Sequence, residues 1–247
     1  MKEHLKRIII DIKDIIDDPI DGIIYKPDEE NIMKGFVLIH GPQNTPYQFG
    51  NYFFQFEFTE SYPYKPPIVT YHTNNGRVRF NPNFYRNGKV CLSILNTWEG
   101  DQWSACQSVR SVLLTLQMRL NENPLLNEPG VHEIRHKYHI ELYNEIITYE
   151  NINLCICDYV IDIANLPNQF KIFYNDVCKL FISHYQKIHD AMYQLIETEK
   201  SKFHGSIVDR ILNDVVYETK IKINYGGLLE KFERINLNEI ENKIEMN

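Results

Sequence analysis

The chain has 247 residues, 43% of them apolar and 24% charged, with a formal net charge of −7. That size and balance suit one large domain, or one domain plus an elaboration, with a real core, and they argue against general nucleic-acid binding. Five cysteines, an odd and unevenly placed set with no signal peptide ahead of them, imply free thiols in a reducing compartment and not a disulfide framework.

Charges interrupt the opening stretch MKEHLKRIIIDIKDII every few residues, so it reads as neither a signal h-region nor a membrane span. Leu5, Ile8, Ile9, Ile12 and Ile16 recur at helical spacing and predict an amphipathic helix over 3–17. The period then changes to two. Apolar runs at 22–26, 32–40, 52–58 and 67–73 predict four strands, and Tyr52, Phe54, Phe56 and Phe58 share one face of the third. NTPYQFG at 44–50 is a turn, and the three prolines of 61–67 leave aromatic rings on a stiff loop. The consecutive order of the strands suggests an antiparallel meander.

Ser104 is a candidate cap for the next helix, whose stripe runs Val109, Val112, Leu113, Leu116, Leu120 as far as Asn123-Pro124. Helices are predicted over about 138–163 and 168–198, the second with a long apolar face from Phe170 to Leu195. A less regular segment follows, with Ile211, Leu212, Val215 and Val216, then YGGLLEKFERI, and the terminal NLNEIENKIEMN is expected to fray. The layout is α+β.

Cys91 stands apart from the other cysteines. A lone cysteine is most often a small hydrophobe, but the chain reaches this one through the turn signals Asn81-Pro82-Asn83 and Asn87-Gly88, along a polar path where a thiol can meet another protein. Cys155 and Cys157 are separated by one residue without a partner pair and Cys178 is alone, so zinc binding is not indicated and core filling is the reading for them.

The segments HGPQNTPYQFGNYFFQFEF, YPYKPP, FNPNFYRNGKVCLSIL, Trp103-Ser104 and NEPG at 127–130 fall in the order found in ubiquitin-conjugating enzymes, and the chain resembles that family over about 1–163. NPNFYRNGKVCLSILNTWEGDQW looks closest to the Z-type branch, which also carries extra helices after the core fold. The resemblance implies a UBC fold: an N-terminal helix, a four-stranded antiparallel meander, an active-site loop, then C-terminal helices. It implies a conjugating core over 1–163 and a helical extension over 164–247 packed on it. It further implies a transferase that accepts ubiquitin or a ubiquitin-like protein as a thioester on Cys91 from an activating enzyme. The modifier then passes to substrate lysines, usually with a ubiquitin ligase.

By the same resemblance Asn83, eight places before the cysteine, matches the Asn of the family's His-Pro-Asn triplet. Glu128 matches an acidic residue of the active-site rim, Tyr64 the exposed aromatic of the ligase-docking loop, and Lys6 and Arg7 the docking surface for the activating enzyme. Four departures are evident. Asn81 replaces the triplet's His; Ser93 stands where an Asp is frequent; Ala105-Cys106 replaces the Pro after Trp103-Ser104; and NTWEGDQ lengthens the loop before Trp103.

The residue types suit the chemistry. A thiolate is a good nucleophile and its thioester stays reactive toward amines. Exchange between thioesters needs no local ATP site, and no GxxxxGK[ST] motif is present. An amide such as Asn83 can stabilise the oxyanion that forms when lysine attacks, or it can simply hold the loop by bonding backbone. Glu128 can orient the lysine and assist its deprotonation, or be an ordinary surface carboxylate. Lys6 and Arg7 can equally be a solvated helix face. No cofactor, metal ion, nucleic acid or membrane is expected as a partner. The expected location is intracellular: cytoplasmic or nuclear, or the host cytoplasm for a viral protein. Two other readings stand beside the transferase. A noncatalytic UBC-fold module that binds ubiquitin or a ligase would ordinarily lack the cysteine. A cysteine hydrolase would need a His base, and His40 and His72 lie in no such motif.

Overall fold

The computed structural model describes residues 2–246. Helix α1 (Glu3–Asp17) leads into four strands, β1 (Ile23–Pro27), β2 (Lys34–His40), β3 (Asn51–Glu57) and β4 (Ile68–Tyr71). They pair in sequence order as one antiparallel sheet, with Ile39 opposite Tyr52 and Phe54 opposite Tyr71. The meander and the first helix match the sequence reading to within two residues at most ends.

Period two alone does not describe β3, because Tyr52, Phe53, Phe54 and Phe56 are all buried. Phe54 meets Tyr71 and Phe84, at centroid distances of 5.1 and 5.0 Å, on one face. Phe53 meets Tyr159, Phe170 and Phe173 on the other, at 5.4, 5.0 and 6.1 Å. The residues after 158 therefore cover a sheet face that would otherwise be wet, and a sheet covered on both sides no longer needs polar residues in alternation.

After the loop that carries Cys91, α2 (Val109–Arg119) buries Val109, Val112, Leu113 and Leu116. Its cap is Ser108, not Ser104: Ser108 N–H donates to Ser111 Oγ at 2.8 Å, while Ser104 N–H is taken by Gln107 Oε1 at 3.0 Å. The long helix expected over 138–163 is interrupted. α3 (Lys137–Glu150) gives way to a wide π-helical stretch, Asn151–Asp158, and a single turn, α4 (Tyr159–Ile161). The wide turn faces the start of β3. Tyr52 Oη donates to Asn151 Oδ1 (2.5 Å), Asn151 Nδ2 donates to Gln48 O (2.9 Å) and Asn51 Nδ2 to Cys155 O (2.9 Å). Gly50 permits this approach, since a Cβ there would lie 1.8 Å from Asn151 Oδ1.

The remainder corrects an expectation of helices alone. α5 (Tyr174–Lys202) is followed by a β-hairpin, β5 (Arg210–Asp214) and β6 (Thr219–Ile223), then α6 (Tyr225–Glu233) and α7 (Leu237–Met246). Leu212, Ile221 and Ile223 point inward while Ile211, Lys220 and Lys222 are exposed, as a half-buried hairpin requires. Arg210 fastens it, bonding Glu199 on α5 at 2.8 and 2.7 Å and Glu145 on α3 at 2.5 Å. The terminal stretch forms α7, with Ile240 buried, where fraying was expected; its last residue, Asn247, lies outside the described residues. Among the described residues no helix is long and apolar enough to cross a membrane.

Candidate active site

The site is built on the loop between β4 and α2, which has little regular structure and is held by side-chain amides. Asn81 is fully buried. Its Oδ1 accepts from Asn83 N–H (2.9 Å), and its Nδ2 donates to Tyr47 Oη (2.9 Å) and Arg119 O (2.7 Å). The amide thus supplies both an acceptor and donors at the place where the family's pattern has His.

Asn83 and Cys91 form a two-way bridge. Cys91 N–H donates to Asn83 O at 2.9 Å, and Asn83 Nδ2 donates to Cys91 O at 2.8 Å. One hydrogen of that side-chain amide is used and the second is available. The carboxamide is thereby fixed against the backbone of the cysteine itself. The loop-holding role is seen directly, and it places a spare N–H donor beside the thiol-bearing residue.

Cys91 is only 3% exposed. Its sulfur is bonded to the inserted loop. Cys91 Sγ donates to Thr97 O at 3.1 Å. Thr97 is pinned by its hydroxyl, which accepts from Leu92 N–H (2.9 Å) and donates to Val90 O (2.9 Å). Asn96 Oδ1 accepts from Trp103 N–H at 2.8 Å and closes the loop at its base. Gly100, at φ +121°, passes over Ser93, where a Cβ would come within 3.2 Å of the serine's own Cβ. Glu99, Gly100, Asp101 and Gln102 are exposed and Trp98 is half-exposed. The sulfur is therefore held by a carbonyl of an exposed loop, and Cys91 lies outside the continuous apolar core. A groove of about 520 Å³ runs between Pro66–Thr70 on one side and Lys89, Val90 and Leu95–Thr97 on the other, with Pro67, Val69, Val90 and Leu95 among its walls.

Glu128 follows a short helical turn, Pro124–Asn127. Two sets of bonds tie this segment to the cysteine loop. Arg119 O accepts from both Asn81 Nδ2 and Asn127 Nδ2, at 2.7 and 3.3 Å. The Glu128 carboxylate accepts from Tyr217 Oη at 2.5 Å, and the Tyr217 ring stacks on Arg79, whose guanidinium donates to Pro82 O.

The expected docking residues are placed differently from one another. Tyr64 is 70% exposed on its proline loop. Lys6 is exposed on α1 beside Ile9 and Ile10, which are exposed as well. Arg7 is partly buried and spends its guanidinium inside the chain, on Asp11 (2.9 Å), Ala105 O (3.0 Å) and Gln107 O (2.5 Å). It ties α1 to the segment before α2. Sequence reasoning missed Thr97, Arg79 and Tyr217. The insertion NTWEGDQ was a signal for the first; nothing in the local pattern announced the other two.

A family model for ubiquitin-conjugating enzyme matches residues 7–149. The chain is 37% identical to ubiquitin-conjugating enzyme E2 Z of Xenopus tropicalis over 230 residues, which is 93% of this chain and 70% of that protein. The Danio rerio protein of the same name is 37% identical over 235 residues, covering 95% and 68%. The Homo sapiens one is 48% identical over 155 residues, covering 62% and 44%.

Proposed function

The chain belongs to the ubiquitin-conjugating enzyme family, as a transferase of the Z type, and from that premise we propose that Cys91 is its thioester carrier. The observation that carries the proposal is the two-way bridge between Asn83 and Cys91, which fixes an amide donor beside the residue that bears the thiol.

In the first step the strap at Thr97–Gln102 shifts and releases Cys91 Sγ from Thr97 O. The thiolate attacks the carbonyl of a modifier already held as a thioester on the activating enzyme. That enzyme's sulfur leaves and takes up the proton lost by Cys91. The exchange replaces one thioester with another, so its free-energy change is small and no nucleotide site is called for. In the second step a neutral lysine amine attacks the new carbonyl. The second N–H of Asn83 Nδ2 is the donor offered to the developing oxyanion, and losing such a donor costs about 3–4 kcal/mol of transition-state stabilisation. Collapse forms the isopeptide bond and expels Cys91 as thiolate. Glu128 orients the amine and receives its proton. Ubiquitin or a ubiquitin-like protein is the modifier, and the activating enzyme and a ligase are the partners, with exposed Lys6 and Tyr64 on the surfaces that meet them.

Incubation with activating enzyme, ATP and modifier, followed by a nonreducing gel, tests the carrier role. The expected result is an adduct that reductant removes, that is absent in Cys91→Ala, and that becomes a slower-hydrolysing oxyester in Cys91→Ser. An adduct that persists in Cys91→Ala defeats the proposal.

A further inference from the structure

We infer that Tyr217, at the tip of the β5–β6 hairpin, is a positioning residue of the active site, holding Glu128 in place for the attacking amine. The inference rests on the thioester reading above and extends it to a part of the chain beyond residues 7–149, the span matched by the family model.

Three independent contacts place the hairpin tip on the cysteine loop and its rim. Tyr217 Oη donates to Glu128 Oε2 at 2.5 Å, a short charge-assisted bond. The Tyr217 ring lies 4.5 Å from the Arg79 guanidinium, which is sandwiched against Tyr85 at 3.7 Å and donates to Pro82 O, next to Asn83. Arg86, inside the loop between Asn83 and Cys91, donates to Tyr217 O and Thr219 Oγ1, both at 2.9 Å.

The tip is itself rigid. Buried Asp214 accepts from Val216 N–H and Tyr217 N–H at 3.0 and 3.3 Å, and the Tyr217 ring packs on Tyr143 of α3 at 5.6 Å. Burial and the adjoining carboxylate hold the phenol above its ordinary titration range, so it remains a donor at any working pH. With Oε2 held by the phenol, Glu128 keeps Oε1 to meet an incoming amine. A carboxylate at the end of a short helical turn such as 124–127 would otherwise sample several rotamers. A donor fixed on a separate, braced element selects one.

The test follows single-turnover discharge of preformed thioester to free lysine, from equal amounts of charged protein. Tyr217→Phe keeps the ring on Arg79 and removes only the bond to Glu128. It is expected to lower the maximal discharge rate roughly tenfold, the scale of a loosened proton acceptor, while the lysine concentration at half-maximal rate moves by less than about twofold. In a Glu128→Gln background, which keeps an acceptor for the phenol but removes the base, the same substitution is expected to add nothing. Wild-type discharge by Tyr217→Phe overturns the inference, as does an equal proportional loss in both backgrounds. Failure of wild-type protein to form a reducible adduct on Cys91 is scored before lysine is added, and it overturns the thioester reading along with this one.

Discussion

Cys91 and the two cysteines of the π-helical turn are all buried, yet they are buried in different settings. Cys155 and Cys157 lie where the turn meets the sheet, in the continuous apolar core. Burial raises Cys155 well above the ordinary thiol range and pushes Cys157 up to about 12. Nothing short of opening the core exposes them. Cys91 lies outside that core, and its sulfur is bonded to a carbonyl, Thr97 O, on a short exposed loop. Low exposure alone does not say how readily a thiol can be reached. What must move to uncover it does.

The contrast predicts a large difference in alkylation. With a small alkylating reagent at neutral pH and peptide mapping by mass spectrometry, exposed Cys106 reacts first and Cys91 next. Cys155 and Cys157 react more slowly than Cys91 by roughly a thousandfold or more, since they wait for near-global unfolding, whereas a loop opens locally at far lower cost. Equal protection of Cys91 and Cys155 would break the comparison and leave the strap no different from the core.

The same physical division explains what could be read in the sequence. The α1 helix and the meander were legible because each has one apolar face and a clear period, and the loop around Cys91 was legible from its turn residues. The second covered face of the sheet was not, because Phe53 reads as part of an aromatic run whether water or Phe170 lies opposite. The hairpin was missed for a different reason. Its turn, Val215–Glu218, has neither Gly nor Asn, and the apolar pair Val215-Val216 masks the alternation that Leu212, Ile221 and Ile223 carry. At the site, Cys91 and Asn83 stood out by position, while Tyr217 meets Glu128 from 89 residues away, and no local pattern encodes a contact so distant.

The seam between the sheet and the later helices offers a second way to sharpen the contrast. His40, at the end of β2, stacks on His184 of α5 at 5.4 Å, and Phe49 lies 5.5 Å from the same His184 ring. Burial, with His184 as a second cause and Asn51 and Asp21 opposing, brings the His40 pKa down to about 4 from 6.5. Above pH 6.5 both folded and unfolded chains hold this imidazole neutral, and its contribution to stability is fully present. Between pH 6.5 and 4 the unfolded chain takes up the proton and the folded one does not, so stability falls with falling pH, by about 2–3 kcal/mol across the window. Denaturant unfolding at pH 7 and pH 4.5 measures it, and His40→Gln should flatten that part of the pH dependence. An unchanged slope would mean that the seam is wetter than the core it joins.

The smallest expected effect probes the strap itself. Thr97→Val preserves shape but removes the hydroxyl that accepts from Leu92 N–H and donates to Val90 O. If these bonds are what keep the strap over the sulfur, their loss makes local opening easier by about 1 kcal/mol, and Cys91 alkylation rises roughly fivefold. Cys155 in the same sample serves as the internal reference, because its exposure requires the whole core to open. A rate increase confined to Cys91 assigns the cover to Thr97. Equal acceleration of both cysteines would instead mean that Thr97 stabilises the fold as a whole, with the strap opening only when everything else does.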